Sequence, residues 1–189
     1  MFWEPLPGSF FYFLRMPLKK KMAILLPPFY KLQVFIFSKK ILLYCSMALK
    51  QIYHGSKEYD QMVKLRYEIM RKPLGLSFSD EELKKEKDDI LIGAFDDDML
   101  IGCCILSKID KNCTRLRQMA VQRNKQGMGI GESMMAFAEN IARDKGYKRL
   151  TMHARDTAIG FYEKYGYKVK GDQFIEVNIK HHVMEKDLG

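Results

Sequence analysis

The chain has 189 residues, 47% apolar and 29% charged, enough for one domain with a substantial core. Its net charge of +9 is unevenly spread: residues 1–46 hold seven Lys and Arg against one acid, and the rest hold 25 against 22. That near-neutral body excludes reading the whole protein as a nucleic-acid binder, and four cysteines without a C-x-x-C pair imply neither a disulfide framework nor a zinc site. A reducing, cytoplasmic setting fits best.

Residues 1–46 read as a hydrophobic, basic extension carrying eleven of the 23 aromatics. Lysines and Pro27-Pro28 break its apolar runs, so none reaches the ~18–20 residues that span a bilayer. Recurrent charge without an A-x-A-like site disfavours a signal peptide. Two readings stay open. Met47 is the true start of a body at 47–189, or the extension is a basic-aromatic anchor for an anionic membrane surface.

In the body, residues 50–54 are a strand candidate, and residues 57–71 show helical spacing behind a Ser56 cap until Pro73 and Gly75. Ser79 and Glu82 make a capping-box pattern for a helix to about residue 87. Residues 90–95 and 99–106 form a hairpin around Asp96-Asp97-Asp98, and residues 114–121 a third strand. Next comes Gln126-Gly127-Met128-Gly129-Ile130-Gly131, then a helix with Ile130, Met134, Phe137, Ala138, Ile141 and Ala142 on one face, ending at Gly146. A strand over 149–153, a short helix over 157–165 stopped by Gly166, and strands over 167–170 and 176–184 complete the pattern. The expected fold is mixed α/β, a mostly antiparallel sheet with helices on both faces.

The glycine run is the most informative segment. A glycine-rich turn opening a helix lines up free N–H groups at the positive end of the dipole, a site for phosphate or pyrophosphate. It is not a P-loop, because Glu132 and Ser133 follow Gly131 where Lys-Ser/Thr is required. Nor is it the dinucleotide fingerprint, which needs glycine at Glu132. The spacing Gln126-x-x-Gly129-x-Gly131 resembles the pyrophosphate loop of the GCN5-related N-acetyltransferases. Downstream, Ala158-Ile159-Gly160-Phe161-Tyr162-Glu163-Lys164-Tyr165-Gly166-Tyr167 resembles the A-I-x-F-Y-E-K-x-G-F segment of the same family, one helix and one strand later.

That resemblance implies the acetyltransferase fold, acetyl-CoA as co-substrate with no metal, and direct transfer of acetyl to a primary amine in a ternary complex. It implies that two parallel strands splay apart, with Met119, Ala120 and Val121 offering backbone groups to the pantetheine arm. Gln126, Gly127, Met128, Gly129, Ile130 and Gly131 would grip the pyrophosphate. Tyr162 matches the family's tyrosine that protonates the departing thiolate. Glu68, His153 and His181 are candidates on the acceptor side, and deprotonation through ordered water is an equal reading. Arg155 stands where many members have a pantetheine-binding asparagine, which puts that contact in doubt. The pattern His153-Ala154-Arg155, Phe161-Tyr162 and Ile179-x-His181-x-x-Met184 looks like a subgroup of small uncharacterised bacterial acetyltransferases. A small-molecule acceptor is expected. A protein acceptor, a non-catalytic acyl-CoA-binding or sensing module, and a homodimer stay open.

Overall fold

The computed structural model describes residues 47–189, so the expectations for residues 1–46 lie outside the described residues. Among these, strands β1 (Met47–Ile52), β2 (Ile90–Asp96), β3 (Met99–Lys108), β4 (Cys113–Val121), β5 (Arg149–Arg155), β6 (Lys168–Glu176) and β7 (Ile179–Asp187) form one sheet, ordered β1-β2-β3-β4-β5-β7-β6. Neighbours are antiparallel except β4 and β5. Helices α1 (Lys57–Arg66), α2 (Asp80–Lys84), α3 (Ile130–Asp144) and α4 (Ile159–Glu163) lie between the strands in the chain, α3 making the crossover from β4 to β5.

Adjacent residues of β3 show that α1 and α3 cover opposite faces. Cys103 packs with Tyr59, Met62 and Leu65 of α1, in a cluster that takes in Leu91, Phe95, Ile105 and Ala120. At Gly102 a Cβ would lie only 3.0–3.1 Å from Met134 and Ile130 of α3. Side chains alternate along a strand, so consecutive positions meet different helices. Each fully buried Met, Leu or Ile in these layers contributes roughly 1.5–3 kcal/mol. The free thiols among the described residues, Cys103, Cys104 and Cys113, are all buried, and burial pushes the first two up in pKa.

The caps act as expected. Ser56 Oγ accepts from the Tyr59 N–H at 3.2 Å, and Ser79 and Glu82 satisfy each other's backbone N–H at 3.2 and 2.9 Å. Several bounds differ from the expectation. The helix expected over 57–71 keeps α geometry only to Arg66, widens into a π turn at Tyr67–Arg71, and closes in a 3₁₀ turn at Lys72–Leu74 before Gly75 at φ 67°. β1 starts at Met47. β6 runs on to Glu176 where an end near residue 170 was expected, β7 keeps its expected length but lies three residues further along the chain, and Val177 and Asn178 join them, with φ 52° and 58°. That is a primed hairpin turn, which a β-branched Val does not advertise in sequence.

Candidate active site

β4 and β5 pair only from Cys113 with Arg149 to Leu116 with Met152. Beyond that point each keeps its outer neighbour: Ala120 and Val121 stay with Cys103 and Gly102, and His153 to Arg155 stay with Val183 to His181. The inner edges of residues 117–121 and 153–155 therefore border a gap.

A bulge accompanies the opening. Ile105 sits opposite Arg117 and Cys103 opposite Ala120, so β4 carries one residue more than β3 here, and Gln118 takes φ 50°. A non-glycine residue in that conformation costs about 1–3 kcal/mol, so surrounding contacts must hold it. Arg66 does so, donating from Nη1 to Gln118 Oε1 at 2.6 Å. Arg66 is itself fully buried on α1 and forked onto Glu86 at 2.7 and 2.9 Å, while the Tyr59 hydroxyl donates to Glu86 Oε2 at 2.8 Å. Burial works against the guanidinium charge, but the Glu86 hydrogen bonds and charge more than offset it, and the Arg66 pKa ends above its ordinary value.

The gap opens into a cavity of about 520 Å³. Ile69, Met70 and Phe78 line it from the α1–α2 side, Arg115 and Arg117 from β4, His153 and Arg155 from β5, and Glu176, Val177 and His181 from the β6–β7 hairpin. Tyr162 on α4 also lines it, its hydroxyl donating across the gap to Met119 Sδ at 3.7 Å. A thioether is a weak acceptor, easily exchanged for a better one. Edge-on contacts with Phe161 at 5.1 Å and Tyr167 at 6.0 Å fix the ring. Burial first, then the neighbouring Cys104, pushes the Tyr162 phenol up to about 12.

Beyond β4 the chain makes a 3₁₀ turn at Arg123–Lys125, pinned by Lys125 to Asp96 at 2.8 Å. Gln126 Nε2 donates to the Val121 carbonyl at 3.2 Å. Gly127 and Gly129 take φ 74° and 85°, the second as N-cap of α3 without a side-chain cap. The first-turn N–H groups of α3 thus have no intrahelical acceptor. At Gly131 a Cβ would touch Met119 and Phe161 at 3.4 Å, so this glycine also sets how closely the helix start approaches β4 and α4.

The structure brings Met119, Tyr162, His153 and His181 to the cavity and leaves Glu68 out. Glu68 instead pairs with Lys72 at 2.8 Å on the exposed side of the π turn, because that widening sends Ile69 and Met70 to the cavity. His153 Nδ1 lies 2.9 Å from Glu176 Oε2, and buried His181 directs Nδ1 to the Ile179 carbonyl at 2.8 Å. A carbonyl only accepts, so His181 Nδ1 carries a proton and a neutral ring keeps Nε2 as acceptor. Arg115, Arg117 and Gln118 were not anticipated. The signal for the arginines was their i, i+2 spacing on a strand, which puts both on one face.

The acetyltransferase (GNAT) domain family matches residues 61–188 of this chain. The chain belongs to that family. The GNAT match takes in the end of α1, the β4 bulge, the gap, the glycine loop and α4. The uncharacterized protein YyaT of Bacillus subtilis (strain 168) is 27% identical over 82 residues, 43% of this chain and 55% of that protein. The chain spans about half the length of this and two further curated relatives it matches. An acyl-CoA N-acyltransferase from Pseudomonas aeruginosa superposes with a TM-score of 0.65 at 18% identity, covering 75% of this chain and 99% of the other. A GNAT family acetyltransferase from Elizabethkingia anophelis with acetyl-CoA bound gives 0.58 at 20% identity, covering 75% and 98%. At these identities the structural likeness speaks for the fold alone.

Proposed function

We propose that this protein transfers an acetyl group from acetyl-CoA to a primary amine of a small molecule, by direct attack within a ternary complex. The observation that carries the reading is the unpaired β4 edge running past a half-buried phenol whose only hydrogen-bond acceptor among the described residues is a thioether. The Elizabethkingia protein, solved with acetyl-CoA, shares the fold and supports the choice of co-substrate.

The residues present fit such a ligand. Met119, Ala120 and Val121 offer the backbone edge for the pantetheine amides, and residues 126–131 offer N–H groups and positive-φ glycines for the pyrophosphate. Bound acetyl-CoA supplies the acetyl group as a thioester, the nitrogen–carbon bond forming as the carbon–sulfur bond breaks. Tyr162, held at about 12, stays protonated at any working pH. Giving its proton outright to a thiolate of pKa about 8.5 would be uphill by roughly 4–5 kcal/mol. Tyr162 therefore holds the developing thiolate by a hydrogen bond, which narrows the general-acid role expected from sequence. His181, with Nε2 as acceptor, takes the amine proton directly or through water. The cavity, bounded by the α1–α2 connection on one side and the β6–β7 hairpin on the other, suits a compact acceptor better than a polypeptide.

Calorimetric titration with acetyl-CoA, paired with CoA-thiol release over an amine panel, tests the reading. Micromolar binding with amine-dependent release is expected. Binding without release from any amine would instead mark an acyl-CoA-binding or sensing module.

A further inference from the structure

We infer that the amine acetylated here carries an anionic group, a carboxylate or a phosphate, a few atoms from its nitrogen, and that Arg115 and Arg117 hold it. This rests on the transfer reading above and names its substrate class.

Arg115 and Arg117 are alternate residues of β4, so they share the face that lines the cavity. In both, Nε is buried and finds no partner among the described residues. Among the described residues Arg115 makes no ion pair. Arg117 reaches Glu86 at 3.6 Å and Asp89 at 3.9 Å, longer than charged hydrogen bonds. Glu86 is moreover already forked by Arg66 and bonded by Tyr59. The cavity's own acids are engaged as well: Glu82 by Arg71 at 2.8 Å and the Ser79 N–H at 2.9 Å, Glu176 by His153 at 2.9 Å. Two neighbouring guanidiniums thus share a concave, half-buried surface, Arg115 without an ion pair among the described residues and Arg117 only at long range from Glu86 and Asp89. Guanidinium forks match carboxylate and phosphate oxygens, and an acceptor with several positive charges is disfavoured in the same place.

Position sets the size of the acceptor. Leu116, between the two arginines, is the last β4 residue paired with β5, so the gap begins where the anion would sit. Amine and anion therefore belong to one compact molecule. The phosphates of the co-substrate are a poor explanation of these cations. The glycine loop starts past Val121, and the four steps from Arg117 to Val121 span up to about 13 Å.

The test uses the full chain and four probes: ethanolamine, β-alanine, phosphoethanolamine and spermidine. Initial rates of thiol release give kcat/KM for each, and calorimetry on the CoA complex gives each Kd without turnover. At least one of β-alanine and phosphoethanolamine should exceed ethanolamine tenfold in kcat/KM, and which one identifies carboxylate or phosphate. Arg115→Gln should cut that preference at least tenfold through the acceptor KM, with the acetyl-CoA KM unmoved and part of the preference restored in Arg115→Lys. Arg117→Gln supplies a second variant should Arg115→Gln fail to fold. A best rate with ethanolamine or spermidine, or no binding of either anionic amine, overturns the inference. Binding of an anionic amine without turnover of any probe supports the anion site and overturns the transfer reading instead.

Discussion

The two sides of the gap are built differently. On one side β2 and β3 are buried along most of their length and carry α1 and α3 on opposite faces. On the other, β6 is exposed or half-exposed throughout and pairs with β7 alone. The closed side holds the β4 bulge, the glycine loop and the backbone edge, the parts proposed above to grip the co-substrate. The open side holds Glu176, Val177 and His181, on a hairpin with few buried neighbours, and segments of that kind open locally at low cost. On the proposed reading, the co-substrate and the anionic end of the acceptor meet the rigid β4 side, and the amine end meets the more open hairpin.

The sharpest way to break the closed side is Arg66→Met. It leaves Glu86 buried without its fork and releases Gln118 from its only side-chain anchor. A loss of about 3–5 kcal/mol is expected in urea unfolding, the range for an orphaned buried charge. The double variant Arg66→Met, Glu86→Leu should recover most of that stability while leaving the bulge unanchored. If acetyl-CoA affinity in the double variant equals that of the parent, the network does not shape the gap.

Gly129→Asp separates stability from binding on the same side. Asp tolerates positive φ better than most residues, but a non-glycine residue at the φ 85° of this position still costs about 1–3 kcal/mol, which bounds the expected loss of stability. Its carboxylate would face the pyrophosphate at the helix start, and acetyl-CoA affinity should fall at least about 100-fold, roughly 3 kcal/mol. Calorimetry checks both expectations against a thermal melt. Retained affinity would remove the loop from the co-substrate site.

Much of the closed side was legible in the sequence because its signals are local. The Ser56 and Ser79 caps, the hairpin at Asp96-Asp97-Asp98 and the glycines of residues 126–131 each state their conformation within a few residues. The gap was expected only through family resemblance. Its physical basis includes a register offset held by Arg66 against Gln118, 52 residues apart, which no local pattern reveals. The acceptor side was the least legible. Whether Glu68 or Met70 reached the cavity depended on one π turn, and the β6–β7 turn hid in Val177-Asn178.

Tyr162→Phe acts at the boundary between the two sides. Among the described residues the hydroxyl bonds only a thioether, so the change should leave stability and acetyl-CoA Kd nearly untouched. Turnover should drop roughly 10- to 100-fold, as expected for one donor aimed at developing charge. With the phenol at about 12, its deprotonation adds no alkaline limb to the kcat profile through pH 10. An alkaline limb near pH 10 that disappears in the Phe variant would show a phenol far more acidic than this environment allows.

The smallest effect belongs to Glu68→Gln, and it draws the cavity's edge. Glu68 lies on the closed side's outer surface, paired with Lys72 one turn later, their side chains 45% and 58% exposed. Solvent screens such a pair, so the melting temperature should barely move. The kcat/KM for any amine should stay within twofold, because the side chain does not line the cavity. His181→Gln, across the gap, removes the Nε2 acceptor while keeping a polar group and should lower kcat at least tenfold. Measured side by side, the pair separates two explanations for one loss of activity. A loss in Glu68→Gln alone would mean that the π turn rearranges when substrate binds and carries Glu68 inward. A loss confined to His181→Gln fixes the acceptor on the β7 side of the gap.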